Sequence, residues 1–331
     1  MRAEAMFPGA PRKAGMYESF YLRALAPHEP VGVWVRYTVH KRPGAKAKGS
    51  LWCTVFDARR GRPWMHKLTS KELSAPRDGW IAIDSSRLGD GYAEGECGGA
   101  RWTLKVAADE PELRHLPRGW MYRAPLPRTK LTSPSPSARF SGTFALPDGR
   151  SLALDGWRGM VGHNWGAEHA ERWIWLHGVG FEEDEDAWLD VALGRIRVAG
   201  RLTPWVANGA VRIAGERYRI GGLGARGLGV QEHTEGCKLS MPGPKGLRIE
   251  AQVEVPSASS AGWLYADPDG GEHEVANCSV ARVELDVRGP GERGARKLRT
   301  AHGGAYELGM RAGDRSEIGR HSVEIAPFAD G

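Results

Sequence analysis

The sequence predicts an all-β protein made of antiparallel barrels or sandwiches, with few short helices. Segments in which apolar residues recur at every second position, as on one face of a strand, occur along most of the chain. Turn-forming residues are abundant, with 45 Gly and 21 Pro among 331 residues. Helical periodicity is almost absent. A chain of 331 residues is longer than a domain with a single hydrophobic core usually is, which indicates two domains packed together.

The predicted strands follow one another along the chain. VGVWVRYTVH (31–40) places its valines on one face. SLWCTVFD (50–57) is partly apolar on both faces, as for a strand buried on two sides. Two alternating runs flank Pro-Asp-Gly at 147–149, which predicts a hairpin. LRIEAQVEV (247–255) and ARVELDVR (281–288) alternate in the same way.

The remaining segments predict turns, loops and a domain boundary. Residues 69–75 and 109–116 could each form a helical turn or two, with Ser or Asp as the N-cap. The basic segment 123–139, rich in Pro and Ser, predicts a solvated loop in extended conformation. The acidic run EEDED lies near the midpoint and predicts a solvated turn. We therefore expect an N-terminal domain over 1–182 and a C-terminal domain over 183–331.

Composition and charge narrow the range of partners. The net charge is +6, yet the arginines are interleaved with acids and form no basic helix, so we expect no specific nucleic-acid binding. They could support transient contact with an anionic membrane surface. We find neither a signal-peptide core nor an apolar run of spanning length, and the four cysteines are isolated in sequence. A cytoplasmic protein with reduced thiols and no cofactor is expected.

Chemically versatile side chains are concentrated in MVGHNWGAEHAERWIWLHG (160–178). In a strand, Trp173, Trp175 and His177 share one face. Aromatic walls with a few polar groups are typical of a small-molecule site. The alternative is a packed core of hydrogen-bonded aromatic side chains.

The first part of this stretch contains a glycine-flanked box. Gly162 and Gly166 bracket His163, Asn164 and Trp165, which predicts a sharp turn that presents these side chains. A histidine there could transfer a proton near neutral pH, with Asn164 as a neutral partner. The alternative is a turn whose histidine bonds the backbone.

A metal centre is a further alternative. It would use three ligands drawn from five side chains of the stretch: His163, His169, His177, Glu168 and Glu171. Their spacing matches no established zinc pattern, and GxSxG, the motif of a serine nucleophile, does not occur in the sequence. We therefore predict no metal.

The stretch LDGWRGMVGHNWGAEHAERWIWLHG resembles the lipocalin-like (calycin-type) superfamily of carotenoid hydratases, tocopherol cyclases and lipocalin-like Diels–Alderases. The resemblance rests on the His-Asn-Trp-Gly box at 163–166 followed by the Trp-x-Trp strand at 173–175. YESFYLRA (17–24) and GAYELG (304–309) are weaker similarities. Hydratase-type boxes often carry an acid before the histidine, where this chain has Gly162. Glu18, Glu168 or Glu171 would have to replace that acid in space.

The resemblance implies two lipocalin-like β-domains that hold a hydrophobic, isoprenoid- or polyketide-like molecule in or between them. It implies hydration or cyclisation by acid–base chemistry, with His163 as proton donor and Asn164 and Glu18 beside it. The expected ligand-binding side chains are listed by position as Trp165, Trp173, Trp175, His177 and Glu168. The alternatives are a non-catalytic lipid-binding protein of the same fold and a metal-dependent hydrolase.

Overall fold

The computed structural model describes residues 3–222, 225–289 and 294–313, and it confirms the all-β fold. The described chain forms a nearly closed, barrel-shaped antiparallel sheet, followed by a second antiparallel sheet. Helix within these residues is limited to single 3-10 turns at Phe7–Gly9, Gly119–Tyr122 and Pro244–Gly246.

The first sheet contains twelve strands in the order β4-β3-β2-β1-β12-β11-β9-β8-β7-β6-β5, with β10 paired to β11. Their bounds are β1 (Met16–Leu25), β2 (Val31–Lys41), β3 (Lys48–Asp57), β4 (Trp64–Ser70), β5 (Leu73–Ser74), β6 (Ile81–Ile83), β7 (Ser86–Gly89), β8 (Tyr92–Cys97), β9 (Ala100–Ala108), β10 (Leu113–Arg114), β11 (Thr129–Ala145) and β12 (Ser151–Gly166). Strands β3 and β4 contact β6 and β8 across the interior, which almost closes the barrel.

The second sheet has the order β18-β17-β14-β13-β24-β23-β21-β20-β19, with β22 paired to β23, while β15 and β16 form a separate hairpin. The bounds are β13 (Arg172–Gly178), β14 (Trp188–Arg195), β15 (Arg197–Val198), β16 (Arg201–Leu202), β17 (Val206–Ile213), β18 (Glu216–Gly221), β19 (Gly229–His233), β20 (Gly236–Pro242), β21 (Arg248–Glu254), β22 (Ala261–Ala266), β23 (Glu272–Arg288) and β24 (Arg296–Arg311).

Strands β1 to β3 are buried on both faces because the two sheets pack against each other there. One face of these strands lines the barrel interior, where Phe20, Val33 and Leu51 lie in one apolar cluster. The opposite face contributes Trp34 and Trp52 to the core of the second sheet, in which both rings pack against Trp263. The site described below lies along this junction.

Two local predictions were wrong, and in both cases strand pairing replaces the expected structure. Residues 69–75 and 109–116 form short strands rather than helical turns, since β5 pairs with β6 and β10 with β11. The segment 123–139 is a loop only up to Arg128, because Thr129 begins the long strand β11. The two prolines within β11, Pro134 and Pro136, fall where the pairing of β11 with β12 shifts register, which is where a strand tolerates a residue without an N–H group.

The chain passes from the first sheet to the second through residues 167–171, which join β12 to β13. The expected domain boundary at 182/183 stays a prediction. The predicted hairpin around 147–149 is present between β11 and β12. All four cysteines are buried and unpaired. Within the described residues, none of the helices has the length and apolar character needed to span a bilayer.

Candidate active site between the two sheets

A cavity of about 820 Å³ lies between the two sheets. Its aromatic wall consists of Tyr17, Tyr21, Trp34, Trp173, Trp175 and Tyr265. Its polar groups include Arg36, His115, Asn164, Glu168, His169, Glu171 and Glu307. A volume of this size, apolar walls and a small number of polar groups are the usual properties of a small-molecule site.

The dense stretch of the sequence forms one side of this cavity. Asn164 near the end of β12, Trp173 and Trp175 on β13, and the connecting residues 168–171 all line it. Trp173 and Trp175 lie on the same face of β13, whereas Ile174 on the other face is in the core of the second sheet. The alternation of β13 therefore places both indoles at the cavity, as the sequence predicts.

Both indole N–H groups donate to carboxylates. Trp173 Nε1 donates to Glu307 Oε1 at 2.8 Å, and Trp175 Nε1 donates to Asp190 Oδ1 at 3.1 Å. The other oxygen of Glu307 accepts from Tyr265 and Asn277. Asp190 is fully buried, and Ser133 donates to its second oxygen at 2.5 Å. These carboxylates fix the orientation of the aromatic wall.

His169 is the imidazole of the connecting segment that lines the cavity, and it is held by a buried carboxylate. Asp267 Oδ1 accepts from the backbone N of His169 at 2.8 Å and from its Nδ1 at 2.6 Å. Asp267 Oδ2 accepts from His273 Nε2 at 2.9 Å. Tyr17 stacks on the His169 ring at 3.9 Å, nearly parallel, with Trp173 at 5.6 Å. The ring is therefore fixed in both position and rotation.

The hydrogen bonds of His169 define its protonation state. Because the Asp267 carboxylate can only accept, Nδ1 carries the hydrogen. Burial lowers the pKa of His169 to about 4, although the bond to Asp267 acts in the opposite direction. Burial alone would raise the pKa of Asp267, but the hydrogen bonds from His169 and His273 hold it well below its usual range. Near neutral pH the ring is neutral, and Nε2 carries a lone pair. Nε2 is buried and has no hydrogen-bond partner.

The predicted catalytic residues His163 and Glu18 are in contact, but on the other side of the sheet. His163 Nε2 lies 2.7 Å from Glu18 Oε1, so Glu18, rather than Glu168 or Glu171, is the acid beside the box. Glu18 also accepts from the backbone N of Met6 and Phe7. His163 is 2% exposed and stacks between Phe20 and Trp165.

Strand alternation separates this pair from the cavity. Phe20 pairs with His163 in the register of β1 and β12, and both side chains face the barrel interior. The neighbouring pair, Ser19 and Asn164, faces the other way, and Ser19 Oγ donates to Asn164 Oδ1 at 2.6 Å. Of the three predicted catalytic residues, only Asn164 lines the cavity. The catalytic roles of His163 and Glu18 stay predictions.

The sharp turn expected between Gly162 and Gly166 is absent, because both glycines lie in the continuous strand β12. Glycine is needed at both positions because a side chain would collide with neighbouring atoms. A Cβ on Gly162 would lie 2.1 Å from Cζ of the Tyr21 ring, and a Cβ on Gly166 would lie 2.1 Å from the carbonyl oxygen of Arg128. Gly162 therefore makes room for an aromatic ring of the cavity wall.

The predicted ligand-binding residues divide between the cavity and its surroundings. Trp173, Trp175 and Glu168 line it, and Trp165 and His177 do not. His177 is fully buried, and its Nδ1 lies 2.7 Å from an Arg23 nitrogen, which can only donate. His177 Nε2 therefore donates to the Pro136 carbonyl at 3.0 Å. Arg23 also donates to the carbonyls of Ser279 and Gly303, so this cluster joins the two sheets.

The candidate metal ligands named from the sequence do not converge on one position. His163 pairs with Glu18, and His177 pairs with Arg23. Among the residues that the structure describes, the ligand-type atoms of His169, Asp267 and His273 do lie within 4.8 Å of one another. Both Asp267 oxygens, however, already accept hydrogen bonds from the two rings.

The cavity opens to solvent at three exposed apolar residues, Leu126, Val198 and Val206, which we call the mouth. Their exposed fractions are 53%, 49% and 39%. The cavity-lining arginines Arg128 and Arg197 are also exposed, and each pairs with an acid, Glu168 and Glu171 respectively. An exposed apolar mouth is suited to the entry of a hydrophobic molecule.

No known family model matches the sequence. Two uncharacterized proteins of Mycobacterium tuberculosis are each 28% identical over 308 residues, which span 90% of this chain and 87% of theirs.

Solved structures share the fold. A crystal structure of CghA with Sch210972 has a TM-score of 0.60 at 12% identity, covering 90% of this chain and 88% of that one. Kievitone hydratase from Nectria haematococca has a TM-score of 0.55 at 8% identity, covering 94% and 93%. An AttH-type protein from Nitrosomonas europaea has a TM-score of 0.52 at 11% identity, covering 94% and 97%. At these identities the likeness is one of fold.

Proposed function

Since the chain has the fold of the lipocalin-like hydratase and cyclase superfamily, we propose that it binds a hydrophobic small molecule between its two sheets and catalyses acid–base hydration or cyclisation of that molecule. The observation that carries the proposal is the cavity of about 820 Å³, which combines six aromatic side chains with His169 and the carboxylates of Glu168, Glu171 and Glu307. A structural neighbour named as a hydratase and another solved with a bound compound support it. An isoprenoid- or polyketide-like molecule would suit these walls.

The positions of the histidines bear on which of them transfers the proton. The sequence prediction assigns it to His163, which lies on the barrel side of β12. A base or acid must come within hydrogen-bond reach of the reacting atom. His169 and His115 are the histidines of the cavity wall among the described residues, and so they are better placed than His163. Loss of turnover in His163→Ala, with ligand occupancy intact, would restore the first assignment.

Native mass spectrometry of gently purified protein tests binding. We expect a stoichiometric hydrophobic molecule that is released on denaturation and identified by its mass. Ala192→Trp is the matched variant, because Ala192 lines the cavity and an indole there would occupy the space of the ligand. Equal occupancy in the wild type and in Ala192→Trp would contradict binding at this site.

A non-catalytic binding protein of the same fold is the second candidate, and it is favoured by the fully hydrogen-bonded carboxylates of the wall. It predicts that the bound molecule is recovered chemically unchanged after long incubation. Catalysis predicts conversion of the same molecule. A metal-dependent hydrolase predicts stoichiometric metal in protein that is purified without added metal.

A further inference from the structure

We propose that Asp267 and His169 form a carboxylate–imidazole dyad whose Nε2 acts as a general base on a hydrophobic α,β-unsaturated carbonyl compound bound in the cavity. This inference rests on the proposed function and assigns its reacting group. Asp267 and His273 lie far from the dense stretch in sequence, and nothing in the pattern of residues 160–178 predicts them.

The first argument is geometric. A general base needs one ring nitrogen fixed by an acceptor and the other left for the substrate. Asp267 holds His169 twice, through the backbone N and through Nδ1, and its second oxygen is held by His273. Tyr17 covers one face of the ring. The dyad is therefore oriented before any ligand binds.

The second argument is the unsatisfied nitrogen. The His169 side chain is 9% exposed and lines the cavity, and its Nε2 has no hydrogen-bond partner. A buried polar atom without a partner costs about 1–3 kcal/mol, and native proteins rarely leave one without a reason. Since the ring lines the cavity and its Nδ1 edge is bonded to Asp267, we assign the missing partner of Nε2 to a ligand hydroxyl group or a water molecule.

The third argument concerns charge and selects the substrate class. Nε2 can accept a proton but has none to donate first, which does not suit direct protonation of an isolated alkene. Addition of an O–H group to a conjugated enone starts with base assistance and forms an enolate. Arg36 lines the same cavity, is 4% exposed, and lies near enough to His169 for its positive charge to lower the pKa of that ring. A buried cation of this kind stabilises an enolate oxygen.

The step balances without an oxidant or a reductant. Nε2 takes the proton of the O–H group while the oxygen bonds to the β-carbon, and the π electrons of the double bond move to the carbonyl oxygen. The imidazolium then returns this proton to the α-carbon, which restores the carbonyl group. When the O–H group is water, the product is a hydrate; when it is a hydroxyl group of the ligand itself, the product is a ring.

Acylation by diethyl pyrocarbonate, with peptide mapping of the full-length protein, tests the state of Nε2. The reagent modifies unprotonated imidazole. Between about pH 7.5 and about pH 5.5, a free histidine peptide with a pKa near 6.5 should slow about tenfold, whereas His169 should change by less than about twofold. An unmodified His169, or a tenfold decrease, would overturn the dyad. Modification that appears only after chelator treatment would also overturn it, because the cluster would then hold a metal ion.

Turnover of a probe tests the role of the dyad. In ortho-hydroxychalcone, an aromatic enone with a neighbouring phenol, cyclisation removes the visible colour. We expect the wild type and the exposed-site control His28→Gln to accelerate this reaction. His169→Gln should lose about 10²-fold or more in kcat. It should still bind the probe, which quenching of tryptophan fluorescence measures. Equal rates in the wild type and His169→Gln would overturn the dyad but leave the binding function standing. Absence of probe binding together with an empty cavity in native mass spectrometry would overturn both.

Discussion

Replacement of His177 by Gln is expected to remove a pH-dependent part of the stability of the protein. His177 is fully buried where the sheets meet, with Arg23 donating to Nδ1. Burial lowers the pKa of His177 to about 4 from its ordinary 6.5; the charge of Arg23 acts in the same direction, and that of Asp190 acts against both. The unfolded chain therefore binds a proton at higher pH than the folded chain does. The stabilisation is fully present above pH 6.5 and is lost as the pH falls toward 4.

The magnitude follows from the two pKa values of His177. Their difference of about 2.5 pH units, at about 1.36 kcal/mol per unit, amounts to about 3 kcal/mol of unfolding free energy. Near neutral pH, His177→Gln loses buried hydrogen bonds and should be less stable than the wild type by about 1–3 kcal/mol. As the pH approaches 4, this deficit should shrink by about 3 kcal/mol. The reason is that protonation of His177 favours the unfolded state of the wild type, whereas Gln does not titrate.

Urea unfolding, followed by tryptophan fluorescence from about pH 7.5 to about pH 4, measures both free energies. His28→Gln changes an exposed histidine and serves as the control for the loss of an imidazole at the surface. Titration of all other groups is common to the wild type and the variant, and so it cancels. A constant difference between the wild type and His177→Gln across this range would refute the reasoning.

Three further predictions concern the cavity. Gly162→Ala should push the Tyr21 ring out of place, cost about 1–3 kcal/mol and lower ligand occupancy in native mass spectrometry; unchanged occupancy would contradict this role of Gly162. Trp175→Phe keeps an aromatic wall but leaves the buried Asp190 carboxylate one donor short, so urea unfolding should show a loss of about 1–3 kcal/mol, and no loss would contradict the bond. Leu126→Asp at the mouth should weaken flotation with anionic vesicles relative to the wild type; absence of flotation by the wild type would exclude the membrane contact.

The sequence predicts those parts of the site that depend on alternation along a strand. The alternation in β13 places Trp173 and Trp175 together, and both line the cavity. The resemblance called for Glu18, Glu168 or Glu171 beside His163, and Glu18 is the acid that lies there. In each case the relevant residues lie in strands, where alternation fixes which side chains share a face.

The remaining parts depend on tertiary structure that local pattern does not encode. Strand β1 is buried on both faces, so no polar side marks which of Glu18 and Tyr17 faces the ligand cavity. Asp267 is 98 residues from His169 and lies in a turn, so no periodicity connects them. A turn aspartate followed by a histidine six residues later is an ordinary sequence, and only the packing of the second sheet brings both to the connecting segment.

Deuterium incorporation into the bound molecule tests the central claim most directly. The protein, with its natural ligand, is incubated in heavy water, and the ligand is then extracted and its mass compared with that of ligand kept in the same solvent without protein. We predict that the wild type introduces carbon-bound deuterium through reversible addition and elimination, and that His169→Gln introduces far less. A ligand that returns unlabelled, or labelled equally by both proteins, would contradict proton transfer in this cavity.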